Sequence, residues 1–183
     1  MKIGFLLQRR FAYVGHVMAL TFQKKYGISE FCGYVYLRSS HDFLKSQKDI
    51  NYTGLLLDDE IHKQYKNEII DRAYLDELEN IYGTPNLWPY ITLDRVVRYG
   101  LFLREYPHNT PPYSHEEMMK ILQVKTKAIT KFLEEEKPDV IIFSAIAGIG
   151  SLLLYHIAKL KSIQTFIIKD TRIGTKRSVT EDY

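Results

Sequence analysis

Residues 136–170 read EKPDVIIFSAIAGIGSLLLYHIAKLKSIQTFIIKD, which is a strand, a turn, a helix and a second strand in one stretch. Lys137-Pro138-Asp139 ends any helix before it, because proline lacks the amide a helix needs and forces the preceding residue out of helical geometry. Val140-Ile141-Ile142-Phe143 is an unbroken apolar run, the pattern of a strand buried on both faces. Residues 144–151 hold Gly148 and Gly150, residues 152–161 look helical, and residues 163–168 form a second β-rich run. This unit predicts an open parallel sheet, and such sheets bind ligands past the carboxyl ends of their strands.

Working outward, the same alternation repeats. Residues 2–7 read as a first strand, followed by a turn over 8–15 and a helix over 16–25 that stops at Tyr26-Gly27. A second strand is expected at 31–37, a short helix capped by Ser39 or Ser40 at 39–48, and a third strand at 53–57. Asp58-Asp59-Glu60 opens helical sequence over 60–81, its carboxylates suited to a first turn. Tyr82-Gly83-Thr84-Pro85-Asn86 is a break, 92–104 a further helix candidate, and 106–113, with Pro107, Pro111 and Pro112, a loop. Ser114-His115-Glu116-Glu117 matches a capping box, and the helix after it lines up Met118, Ile121, Leu122, Ala128, Ile129, Phe132 and Leu133 on one face.

The expected fold is therefore α/β: a Rossmann-like, doubly wound parallel sheet of about five strands, with helices on both faces and an extra helical segment before strand four. Residues 1–168 make one domain. Residues 169–183 are polar, carry Arg172, Lys176 and Arg177, and read as a linker or truncated tail.

Composition fits one globular domain: the chain has 183 residues, 45% hydrophobic and 26% charged. A net charge of +3 is too small to argue for nucleic acid, and the 14 tyrosines are not interleaved with basic residues as a base-stacking platform requires. Cys32 is the only cysteine, so no internal disulfide forms, which fits a reducing cytoplasm. The apolar start is too short for an export signal. Residues 140–158 carry no formal charge and match a bilayer span in length, but Ser144, Gly148, Gly150, Ser151 and His156 favour a buried strand followed by a buried helix.

The chemical motifs are sparse. Ser144, Gly148 and Gly150 follow a strand and open a helix, so backbone amides there can receive a phosphate or a sugar hydroxyl; tight packing of a βα turn is the competing reading. The third glycine of a dinucleotide fingerprint is missing, and there is no phosphate-loop motif. Gly15-His16 falls at the expected start of the first helix. There a neutral imidazole, its pKa lowered by the helix N-terminus, can act as a general base, unless His16 merely caps or decorates the helix. Arg9 and Arg10 in the same loop can bind an anionic group or remain solvated. The histidines show no metal-site spacing, there is no Gly-x-Ser-x-Gly elbow, and Glu134-Glu135-Glu136 reads as a solvated helix end.

The order of strand, Gly-His, long helix ending in Lys137-Pro138-Asp139-Val140-Ile141, glycine turn and residues 163–168 resembles the N-terminal half of a GT-B glycosyltransferase. Tyr82-Gly83-Thr84-Pro85-Asn86-Leu87-Trp88, with Asp94-Arg95 following, is similar to a segment of bacterial capsule and surface-polysaccharide biosynthesis proteins in that superfamily. The resemblance implies transfer of a sugar from a nucleotide-sugar donor to an acceptor hydroxyl, with no cofactor and no metal. It implies that this half binds the acceptor and that a missing C-terminal domain holds the donor. By position His16 matches the base, although Gln8 to Val14 replaces the proline-containing loop usual before that pair. Arg9, Arg10, Gly15, Ser144, Gly148, Gly150 and Arg172 are the substrate-binding candidates. A half of this kind is expected in the cytoplasm, with the inner face of the membrane as an option, and to be inactive alone. A stand-alone nucleotide- or phosphate-binding module, a sugar-nucleotide epimerase half and a non-catalytic partner subunit are the alternatives.

Overall fold

The computed structural model describes residues 1–82, 86–94, 97, 112–171 and 173–183. Six strands form one sheet in the order β3-β2-β1-β4-β5-β6. They are β1 (Lys2–Leu7), β2 (Glu30–Val35), β3 (Tyr52–Leu57), β4 (Val140–Phe143), β5 (Gln164–Asp170) and β6 (Arg177–Thr180). The first five are parallel, in registers such as Leu7 with Val35 and Phe5 with Ile142. The chain reverses direction across the sheet between β1 and β4, which makes that boundary the topological switch point.

The expected fold class is observed, with one strand more than expected. Residues 177–180 do not form a polar tail; they pair antiparallel with β5, Val179 opposite Ile168 and Arg177 opposite Asp170. Arg177 Nη1 lies 2.6 Å from the Asp170 carboxylate, so the polar sequence that read as linker is an edge strand held by a cross-strand ion pair.

Side-chain alternation divides the core in two. Leu6, Cys32, Tyr34, Ile141 and Phe143 face one layer, which is closed by α3 (Asp58–Lys63), α4 (Arg72–Tyr82), α5 (Trp88–Leu93), α6 (His115–Glu136) and α7 (Ile149–Leu160). Ile3, Phe5, Leu7, Phe31, Val35 and Ile142 face the other, under α1 (Phe11–Tyr26) and α2 (Arg38–Ser46). Cys32 is fully buried, and burial, reinforced by nearby Glu136, pushes its thiol up to about 12.

Several boundaries move, each for a local reason. Helix α1 starts at Phe11, five residues before the expected start, because the turn amides of 11–13 bond back to the carbonyls of Gln8, Arg9 and Arg10. The expected helix over 60–81 is interrupted: α3 passes into a 3-10 turn at Gln64–Asn67 and the chain resumes at α4. The fully buried Gln123 of α6 holds the break, donating to the Ile69 carbonyl at 2.8 Å and accepting from the Asp71 amide at 2.9 Å. Of the candidate helix over 92–104, residues 95, 96 and 98–104 lie outside the described residues, as do residues 106–111 of the loop.

The capping box is present: Ser114 Oγ accepts from the Glu117 amide at 3.2 Å while Glu117 Oε2 accepts from the Ser114 amide at 2.7 Å. The acid run at the other end of α6 is not all solvated decoration. Glu136 is largely buried, paired with Lys2 Nζ at 2.9 Å and accepting from the Thr53 hydroxyl, which ties α6 to β1 and β3. Among the described residues, no helix is long and apolar enough to cross a membrane; residues 140–158 are divided between β4 and α7.

Gly150 is required for space. A Cβ there would lie 2.1 Å from the Tyr34 hydroxyl oxygen and 3.0 Å from Asp58 Oδ1, groups fixed by burial. Gly150→Ala is expected to lower unfolding free energy by about 1–3 kcal/mol, the usual range for overpacking a closed site. Urea denaturation monitored by circular dichroism measures it, and an unchanged midpoint would show that α7 can shift.

Candidate functional site

Past the carboxyl end of β1 the chain turns through Gln8, Arg9 and Arg10 into α1. Both arginines are exposed, Arg9 has a left-handed backbone with φ of 45°, and its carbonyl accepts from Ser40 Oγ at 3.4 Å. Across the switch point, Ser144 follows β4, half-buried, its hydroxyl donating to the Leu6 carbonyl at 3.4 Å. The fold therefore brings Arg9, Arg10 and Ser144 to the carboxyl edge at β1 and β4.

The glycine turn lies on the same edge but is closed from within. The Asp94 carboxylate accepts from the Ile149 amide at 2.9 Å and from the Val97 amide at 3.2 Å. The Tyr36 hydroxyl accepts from the Ser151 amide at 3.0 Å. A Cβ on Gly148 would sit 3.0 Å from Asp94 Oδ2. Two of the amides at the N-terminus of α7 are thus paired with protein side chains, and a carboxylate stands where a bound anion would complement the helix dipole. Gly148 and Gly150 are closely packed, Gly148 against Asp94 and Gly150 against Tyr34 and Asp58.

Beneath the turn lies a cluster that no sequence motif marks. Lys125, 2% exposed on the inner face of α6, places Nζ 2.6 Å from Oδ1 of the buried Asp58, the first residue after β3. The Tyr34 hydroxyl donates to the same carboxylate oxygen. Burial, then the Asp58 charge, raises the pKa of Tyr34, and burial raises that of Tyr36. His62 contacts the Tyr113 hydroxyl at 3.0 Å, its pKa lowered first by burial and then by the Lys125 charge. A signal was available: Lys125 is three and four residues from Leu122, Ile121 and Ile129, a charge in the middle of an apolar stripe.

Gly15 and His16 part company. Gly15 lets α1 lie close on β1, since a Cβ there would be 2.5 Å from Leu7 Cδ2. His16 is in the second turn of α1 and 6% exposed, with Nδ1 3.0 Å from the Tyr52 hydroxyl and its ring edge-on to Phe43. Its pKa is lowered, as expected, but by burial and not by the first-turn position assumed for it, with the Asp49 charge opposing. Tyr52 begins β3, so the described partner of His16 belongs to the amino end of that strand, away from Arg9, Arg10 and Ser144. Arg172 lies outside the described residues. Among the described residues there is no group of three or more histidine, cysteine or acidic side chains able to hold a metal ion.

No protein-family model matches this chain, and no curated protein matches it. Solved structures that align with this chain include two epimerases. UDP-GlcNAc 2-epimerase from Neisseria meningitidis, bound to UDP-GlcNAc, aligns with a TM-score of 0.46 and 15% identity over 92% of this chain and 32% of that one. UDP-GlcNAc 2-epimerase from Methanocaldococcus jannaschii aligns with a TM-score of 0.40 and 13% identity over 96% of this chain and 34% of that one. The chain spans about a third of the length of both. At that identity, chemistry has to be read from this chain's own residues.

Two outcomes follow from the cluster and the histidines. Lys125→Met, which strands Asp58 without a counter-charge, is expected to destabilise the fold by about 3–5 kcal/mol, and D58N/K125M to lose less than K125M alone. Denaturation midpoints of the three variants decide it. His16, His62 and His156 all have pKa values lowered chiefly by burial, so the unfolded chain binds protons more readily than the folded one. Their contribution is complete above the ordinary histidine value and is lost as pH falls through it toward the lowered folded values. A melting temperature that drops between pH 7.5 and pH 5.5 (~2 units spanning the ordinary value near 6.5) is expected, and a flat profile would refute it.

Proposed function

We propose that these residues form the acceptor-side half of a two-domain sugar-transferring enzyme of GT-B type, the nucleotide-sugar donor being held by a second domain. The observation that carries this reading is the state of the carboxyl edge. The glycine turn is filled by the Asp94 carboxylate, so the place best suited to a donor pyrophosphate is taken, whereas the Arg9-Arg10 and Ser144 lip at the switch point is open. That arrangement supports recognition of an acceptor with hydroxyl and anionic groups over a self-sufficient nucleotide module.

In this reading an acceptor hydroxyl attacks the anomeric carbon of the donor sugar, the bond to the nucleoside diphosphate breaks, and the hydroxyl proton passes to a base. His16, the base candidate of the sequence, is buried against Tyr52 and away from the Arg9-Arg10 lip, so in this reading the base comes from the second domain. The cytoplasm, at the inner face of a membrane where surface polysaccharide is assembled, is the setting this reading gives the protein.

The 183-residue chain is tested with UDP, GDP and a panel of glycans. The expected result is glycan binding that weakens about tenfold in R9A/R10A, roughly 1.4 kcal/mol, with neither nucleotide saturating below about 1 mM. Submillimolar nucleotide binding without glycan binding would favour the stand-alone module. Sugar transfer by the chain alone would overturn the half-site assignment.

A further inference from the structure

Helix α1 has the composition of a helix buried all round, yet its outer face is half exposed, with Tyr13 leaning on Phe43 of α2 at one end. Its inner side, Ala12, Gly15, His16 and Ala19, is buried against the sheet. On its outer side Tyr13 and Val14 are each 50% exposed and Val17 is 59% exposed. At about 100° per residue, Arg10, Tyr13, Val14, Val17, Thr21 and Lys24 fall along one stripe. The stripe has a cation at each end and an apolar middle.

Charge makes the face more unusual. The first acidic residue of the whole chain is Glu30, so nothing in residues 1–29 neutralises Arg9, Arg10, Lys24 and Lys25 locally. Among the described residues none of these four cations has an ion-pair partner. Lys24 and Lys25 suit the C-terminal end of a helix dipole, but Arg9 and Arg10 sit at the N-terminal end, where the dipole disfavours them. Helix electrostatics therefore does not account for that pair.

We propose that the outer face of α1 docks on an anionic lipid bilayer, the helix lying in the plane of the interface. Sixteen residues give a contact about 24 Å long, with Tyr13, Val14 and Val17 entering the headgroup boundary and the two basic pairs meeting anionic headgroups at either end. A lipid surface suits this face better than an acidic protein partner. The attraction is delocalised over two cation pairs at opposite ends of a helix, with the apolar residues in a strip between them. The inference stands on α1 alone. It would also place the Arg9-Arg10 lip at the membrane surface, within reach of a lipid-linked acceptor.

The test is co-sedimentation of the 183-residue chain with vesicles of phosphatidylcholine alone, or of phosphatidylcholine with about one third phosphatidylglycerol, at about 0.05 M and 0.5 M salt. The expected result is pelleting with the anionic vesicles at low salt, with partition falling about tenfold in high salt or on pure phosphatidylcholine. V14D/V17D, which alters only exposed side chains and should keep its circular dichroism spectrum, is expected to abolish binding, and K24E/K25E to weaken it about tenfold. The proposal is overturned if anionic vesicles leave the chain in the supernatant, or if V14D/V17D partitions as the parent does. It is also overturned if sedimentation equilibrium without vesicles shows a dimer that V14D/V17D dissociates, because the face then belongs to a second copy. Glycan binding is read separately, so failure of one result leaves the other standing.

Discussion

The contact between Lys125 and Asp58 ties the helix that leads into β4 to the end of the β1 to β3 half. Asp58 ends the β1 to β3 half and Lys125 lies midway along the helix that carries the chain across to β4, 67 residues later. Taking both charges out of water is expensive, and the pair is tolerable only because its geometry is tight and the Tyr34 hydroxyl occupies the same carboxylate. Once α6 is pinned, β4 is delivered beside β1 and the switch point exists. The same polar cluster supports the floor of the glycine turn, since Gly150 packs directly over Tyr34 and Asp58.

The two sides of the carboxyl edge differ in how their charges are satisfied. On one side the protein supplies its own counter-charges: Asp94 and Tyr36 satisfy amides of α7, and tight packing leaves no room for even a methyl group. On the other side the arginines after β1 are exposed and unpaired among the described residues. Self-satisfaction at one lip and unspent charge at the other make this edge electrostatically asymmetric.

The parallel sheet was legible in the sequence because strands buried on both faces show as continuous apolar runs, Val140 to Phe143 most clearly, and because Ser114 and Glu117 announce their helix by local chemistry alone. Features that depend on distant partners were not legible. Nothing near residue 68 signals that Gln123 will break a helix there, and nothing in Arg177 to Thr180 marks a strand, since its pairing comes from β5. His16 illustrates the same limit. Its type and its neighbour Gly15 suggested a crevice residue, but a start of α1 five residues earlier rotates it toward Tyr52. Lys125 was visible in the helical pattern as a charge out of place, and its meaning came only with Asp58.

The lone cysteine has a practical consequence. Cys32 is in the middle of β2, fully buried, its thiol held protonated by its surroundings. Thiolate is the reactive form, so in the folded chain this sulfur is nearly silent toward maleimides and other thiol reagents. A reporter cysteine introduced on the surface, beside Val17 for instance, would then be the only site to take a spin label or fluorophore. This 183-residue chain offers a clean background for measuring distances and depth without removing any of its own residues.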